Sequence, residues 1–489
     1  MKKFSVFLLC FLSLFSLFGC KKKENLNSLS KNLTNYDINI NLDCENKSAF
    51  INEKVKYVNT SDQLLKNVQF QLYPQFFKDE KFVVSPTKLN QAYPNGIDYC
   101  EFNISRVCVN GQDANINYLG EMDNILNINL IESLFPNEIV EIDIDFSFTL
   151  PNCQHRFGYG KNTINLGNFY PIACVFEDGK FSTNPYNANG DPFYSDMANY
   201  FVKINLDKEY IVAGTGNCTD QAIKNGKKEI SFSAKMVRDF ALIISNKFKV
   251  LNEKFNNISI NYYYFKDEFC ESSLKTAVDA IKTFSNLFGD YPYENFSVVQ
   301  ADFIYGGMEY PNLVMISESI ENSDDYKNVI IHETAHQWWY GMVGNDEFTY
   351  PWLDESLTEY STILFYDNNN DYSFNHEQMV KSCLENYSLF VTVYNDVLGN
   401  IDTSMRAINL YETEPEYTYC TYVKGVLMWD SLYQLIGKKE FLKCLKNYFN
   451  EYKFKIVKPN DLINSLSKTS KTDLSNFFAS WLDGKVVIR

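Results

Sequence analysis

The chain has 489 residues, with 45 Lys+Arg against 61 Asp+Glu, only 4 His, and 45% hydrophobic residues. A net charge of −16 and a pI near 4.9 argue against a nucleic-acid partner, whose binding rests on basic patches facing phosphates. The length suits two to three domains of about 150 residues, and the apolar share excludes a disordered chain.

The N-terminus reads as a targeting segment. Lys2 and Lys3 precede a 16-residue apolar run, Phe4 to Gly19, relieved only by three serines. A membrane-spanning helix needs about 20 apolar residues, so this run suits a signal-peptide core. Gly19 stands directly before Cys20, as in a bacterial lipobox, although Phe18 is bulkier than the usual occupant. The expectation is a signal peptide over 1–19, a lipid on Cys20, a polar tether over 20–35, and an extracytoplasmic protein anchored to a bacterial cell membrane. Ten cysteines remain beyond Cys20, none in a C-x-x-C pair, so a thiolate zinc site is excluded while disulfides and buried thiols both stay open.

From about Tyr36 to residue 250 the signal is β. Val140 to Leu150 alternates strictly between apolar and acidic or hydroxylated residues and is closed by Pro151. Shorter alternations recur at Val202–Leu206 and Ile230–Phe232, between turn-prone pieces such as Asn110-Gly111 and Asn189-Gly190-Asp191-Pro192. An antiparallel β-domain over 36–250 follows. Beyond Tyr264 the period becomes helical: Leu274, Ala277, Val278, Ile281 and Phe284 share one face. Extended pieces at Phe296–Val299 and Leu313–Ile316 come next. From Asp324 onward the pattern is mainly helical, giving an α+β chain whose second domain spans 251–489.

The chemistry concentrates between residues 306 and 425. His332-Glu333-Thr334-Ala335-His336 places two imidazoles one helical turn apart on one face, with Glu333 leaning toward the same cleft. In a chain this poor in histidine, on the order of 0.002 such motifs arise by chance. Ser323 or Asp324 would cap this helix and Gly341 would stop it. Zinc needs a third protein ligand and an open position. Eighteen residues past His336 stands Glu355, on a helix that Pro351 would start. Two antiparallel helices would bring Glu355 opposite the histidines, so His332, His336 and Glu355 are the candidate ligands of one Zn²⁺.

HExxH, eighteen residues and Glu together resemble the signature of the gluzincin zinc aminopeptidases, typified by aminopeptidase N and leukotriene hydrolase. Gly306-Gly307-Met308-Glu309-Tyr310 resembles the family's G-x-M-E-N motif, and Tyr422-Val423-Lys424-Gly425 its Y-x-K-G motif. Arg238-Asp239-Phe240, the stretch Gly190 to Asp196 and Phe477 to Leu482 resemble further family segments, so the likeness covers nearly all of the chain after residue 35.

The resemblance implies a saddle-like N-terminal β-domain, a thermolysin-like, mostly helical zinc-peptidase domain, and no large C-terminal helical domain. It implies that Glu333 serves as general base and then acid, and that Tyr422 donates to the oxyanion. Gly306, Gly307, Met308 and Glu309 would bind the peptide, Glu309 taking the free α-ammonium. The partners implied are peptides with a free N-terminus. Tyr310 replaces the family's Asn and Ser356 its Gly. Glu359 reads equally as an acceptor orienting a histidine or as a solvent-facing carboxylate. His155 and His376 read as surface or packing residues, Trp338 and Trp339 as core. Two competing readings are a zinc endopeptidase of the same fold, against which Glu309 argues, and a non-catalytic peptide-binding lipoprotein, which should lack Glu333, Tyr422 or a ligand.

Overall fold

The computed structural model describes residues 25–398 and 403–486. The expected signal peptide and the Cys20 lipid site lie outside the described residues. Of the expected tether, residues 25–35 are described, and they are packed. Leu26–Leu29 make a helical turn, Ser30 is buried with its carbonyl accepting from Asn199 Nδ2 at 2.9 Å, and a strand already begins at Thr34.

The first half is built on an eight-stranded sheet. Its strands in chain order are β1 (Thr34–Asp43), β2 (Ser48–Val58), β3 (Glu101–Val109), β4 (Gln112–Asp113), β5 (Ile139–Thr149), β6 (Ala198–Asp207), β7 (Asn217–Lys224) and β8 (Lys227–Val237). In space they run β7-β8-β6-β1-β2-β5-β3-β4. All neighbours are antiparallel except β1 and β6, which run parallel. The alternation seen at Val140–Leu150 becomes β5, which buries Val140, Ile142, Ile144, Phe146 and Phe148 on one face. Two four-stranded sheets and a short hairpin complete this half.

The second half opens with a five-stranded sheet of β9 (Lys249–Phe255), β10 (Ile258–Tyr264), β11 (Asn295–Ala301), β12 (Gly307–Met308) and β13 (Leu313–Ser317), in the order β9-β10-β11-β13-β12. The expected boundary at 250/251 therefore cuts β9 after its second residue. Helices follow: α1 (Cys270–Leu287) between β10 and β11, then α2 (Ser323–Ala335), α3 (Trp352–Tyr366), α4 (His376–Leu398), α5 (Lys424–Ile436), α6 (Lys438–Tyr452), α7 (Pro459–Ser470) and α8 (Ser475–Leu482).

The ends of α2 differ from expectation. Asn322, not Ser323 or Asp324, is the cap: its side-chain oxygen accepts from the backbone N–H of Asp324 at 2.8 Å and Asp325 at 3.1 Å. The helix closes at Ala335, ahead of Gly341, because Gln337 and Trp338 form tight i→i−3 turns. Trp338 and Trp339 are core residues, as expected.

The halves are bolted together. Buried Arg238 donates from Nε to Tyr340 O at 2.9 Å, from Nη1 to Ser195 O at 3.0 Å and from Nη2 to Lys455 O at 2.5 Å. A Cβ at Gly344 would overlap that guanidinium, which requires glycine there. Among the described residues no disulfide joins the cysteines, and no helix is long and apolar enough to cross a membrane. His376 is a packing residue: Nδ1 meets Asp367 at 3.1 Å and Nε2 meets Asp430 at 2.7 Å. Those two hydrogen bonds push it up to about 9, so the bridge stays charged at neutral pH. His155 is buried among the rings of Phe77, Phe303 and Tyr305, and burial holds it well below the usual histidine range.

Candidate active site

Helices α2 and α3 and a π-helical turn over Tyr419–Val423, which leads into α5, surround one cleft of about 300 Å³. The edge strand β12 and a loop of the β-half around Asp191 complete its walls. Such π turns redirect a side chain within a helical run and recur at functional sites. This one carries Tyr422 into the cleft.

Three atoms converge on one point. His332 Nε2 and His336 Nε2 are 3.2 Å apart, and Glu355 Oε2 lies 3.5 Å from the first and 3.2 Å from the second. Ligands held tetrahedrally at about 2.0–2.1 Å from one zinc stand about 3.3–3.4 Å from each other. The spacing, the N₂O donor set and the burial of Glu355 all fit a zinc ion. The far nitrogens of both rings are fixed. His332 Nδ1 is 2.7 Å from Glu359 Oε2, and His336 Nδ1 is 3.0 Å from Trp339 O and 3.2 Å from Thr358 Oγ1. Glu359 is thus an orienting acceptor, one of its two sequence readings.

Charge follows from this crowding. Burial alone would raise Glu355, but hydrogen bonds from both histidines outweigh it and hold the carboxyl at about 2. Burial opposes the charge on His336, yet the nearby Glu309 and the bond to Glu355 push it up to about 10. A metal ion entering the site must displace such protons, so its affinity rises with pH. Glu333 is pushed up to about 7 by burial, with the two histidines pulling the other way. Its Oε2 has no partner, and a Cβ at Gly307 would overlap its carboxylate, which explains the second glycine of the motif.

Gly306, Gly307 and Glu309 line the cleft. Met308 does not. Strand alternation turns its side chain inward, where it is 1% exposed and paired in register with Met315, so any contact of Met308 with a peptide is left to its backbone. Glu309 is 3% exposed, and its Oε1 has no hydrogen-bond partner. Burial and the neighbouring Asp191 push its carboxyl well above the usual range. The Tyr422 hydroxyl donates to Glu355 Oε1, and its ring lies 6.1 Å from that of His332.

The two departures from the family pattern have local causes. Ser356 Oγ donates to Trp352 O at 2.5 Å and accepts from Trp429 Nε1 at 2.9 Å where α3 crosses α5. A Cβ at Gly425 would overlap Ser356, so that crossing needs its glycine. Tyr310 leaves the cleft altogether: its hydroxyl donates to Asn168 Oδ1 of the β-half at 3.0 Å.

Sequence reasoning missed Asp191 and Arg156 as cleft residues. They pair at 2.5 Å, with Asp191 close to Glu309 and Glu355. Asp191 was visible as part of a turn and of a family-like segment of the β-domain, but nothing local announces that this loop reaches a site more than a hundred residues later. Glu347 and Asp354, buried behind Glu309, were likewise unmarked.

The sequence pattern of the peptidase family M1 domain matches residues 272–481. That stretch, within the second half of the chain, is similar to the peptidase family M1 domain. The matched stretch holds the candidate zinc ligands, Glu333, the Glu309 motif and Tyr422. The chain is 29% identical over 226 residues to aminopeptidase B of Rattus norvegicus and 26% identical over 228 residues to aminopeptidase N of Lactococcus lactis. Those alignments cover 42% and 43% of this chain but only 33% and 26% of the relatives, so the chain matches a third or less of either protein. The fold of both halves is like that of an M1 zinc metallopeptidase from Deinococcus radiodurans, with a TM-score of 0.65 and 16% identity over 93% of this chain and 94% of that one. The fold class expected from the sequence, a β-domain followed by a mostly helical domain, is shown by that likeness.

Proposed function

We propose that the protein is a zinc aminopeptidase that removes N-terminal residues from peptides. One observation carries the reading beyond "zinc peptidase": a buried carboxylate, Glu309, stands beside the metal triad with Oε1 unpartnered. A free α-ammonium is the partner such a group lacks, and an acetylated N-terminus cannot supply it. The endopeptidase reading has no use for a buried acidic side chain there. The binding-only reading has no use for Glu333.

When bound, zinc supplies Lewis-acid chemistry, polarising a carbonyl and acidifying water. His332, His336 and Glu355 hold the ion, and Glu359 keeps the His332 ring in place. The edge strand β12 and Gly306 just before it offer backbone for pairing with the peptide. Glu309 fixes the ammonium, so the first peptide bond lies over the site. Glu333 takes a proton from the attacking water and delivers it to the departing amine. The Tyr422 hydroxyl leaves Glu355 and donates to the oxyanion as negative charge develops.

The test compares amino-acyl p-nitroanilides that are free or N-acetylated, with bound metal counted on the same sample. We expect one zinc per chain and a preference for the free amine of at least about 100-fold, the scale of losing one desolvated charge partner. Equal rates on both would remove the aminopeptidase reading. Metal without turnover would favour peptide binding alone.

We further propose that Cys20 carries a lipid that holds the enzyme on the outer face of a bacterial membrane, on the strength of Lys2, Lys3, the apolar run and Gly19. Radiolabelled palmitate should enter the wild type and not Cys20→Ser; label in both would contradict the anchor.

A further inference from the structure

We propose that Tyr310 is a positioning residue: its hydroxyl, held by the β-half, sets where the Glu309 carboxylate stands in the cleft. The inference rests on the aminopeptidase reading. Glu309 Oε1 has no hydrogen bond of its own, so the direction of the side chain depends on its backbone. On the N-terminal side that backbone is held by the two-residue edge strand β12 and by the Gly306 carbonyl, which accepts from Ser317 N at 3.0 Å. On the other side the adjoining residue is Tyr310, which is 0% exposed. Its carbonyl accepts from Gln337 Nε2 and from Leu313 N, both at 3.1 Å. Its hydroxyl donates to Asn168 Oδ1 at 3.0 Å, across the boundary between the halves.

The acceptor is itself fixed. Asn168 Nδ2 donates to Asp239 Oδ2 at 2.6 Å, which turns the amide oxygen toward Tyr310. Asp239 is steadied in turn by the Tyr170 hydroxyl at 3.4 Å. The seat for the hydroxyl is cut to size as well, because a Cβ on Gly167 would overlap it. A tyrosine that only filled core space would need neither the aligned amide nor the side-chain-free neighbour. Gln337 follows the ligand His336 directly. Tyr310 therefore ties together the zinc helix, the Glu309 segment and the β-domain.

Tyr310→Phe keeps the ring and removes only the hydroxyl. We expect KM for free-amine anilides to rise about tenfold with kcat within about threefold, as the loss of one buried hydrogen bond predicts. The preference over N-acetylated substrates should fall by about the same factor, with bound zinc unchanged. Gly167→Ala attacks the same contact from the β-half and should reproduce the KM rise and the lost preference. A lower melting temperature with the wild-type preference intact in both variants would overturn the inference. A wild type with no preference at all would overturn the aminopeptidase reading, and this inference with it.

Discussion

Glu333→Gln should keep one zinc per chain and lose about 10²–10⁴ of the turnover, the contribution of a positioned general acid–base. The substitution is nearly isosteric. It leaves His332, His336 and Glu355 untouched, so metal counting separates a lost base from a lost site. Glu333 is suited to the task by its surroundings: burial brings it to about 7, where it can take and return a proton near neutral pH. The raised value means that Glu333 should govern the acidic limb of the rate profile. Activity falls as pH drops through the value for Glu333, because the protonated carboxyl cannot accept. The glutamine variant should lose that limb with its turnover. Turnover retained with zinc bound would show that another group moves the proton.

Glu355→Ala should lose the metal as well as the activity. Removing a residue that merely orients a metal ligand costs about 10–100-fold in affinity, and removing the ligand itself costs more. The reason is also electrostatic. Glu355 is the anion that both imidazoles face, at 3.5 and 3.2 Å, and those contacts hold it near 2. Without it, two ring nitrogens 3.2 Å apart lose the one carboxylate oxygen that both meet within 3.5 Å. Metal analysis after dialysis should find zinc well below one per chain, with activity returning only in excess zinc. Full zinc content would exclude Glu355 as a ligand.

What the sequence revealed and what it concealed divide along chain distance. His332, Glu333, His336 and Glu355 sit within 24 residues, on two helices whose periods and breaks are local, and the structure brings them together as expected. The strand at Val140–Leu150 was equally plain, since alternation records a single buried face. The side-chain direction of Met308 was hidden because a motif lists neighbours in sequence, whereas a strand sends neighbours to opposite faces. Asp191, Arg156 and Asn168 could not be assigned, because they meet the site only through packing of the two halves. Tyr310 was visible as a departure from the family pattern. Its reason lay in Gly167 and Asn168, some 140 residues earlier, where nothing in the local sequence points to it.

The most direct test of the central claim is a time course by mass spectrometry on one decapeptide, free and N-acetylated, with the zinc-loaded protein. The account predicts a ladder of products shortened one residue at a time from the free N-terminus, an intact acetylated peptide, and no ladder after chelation. Internal cleavage of the acetylated peptide at a comparable rate would contradict it.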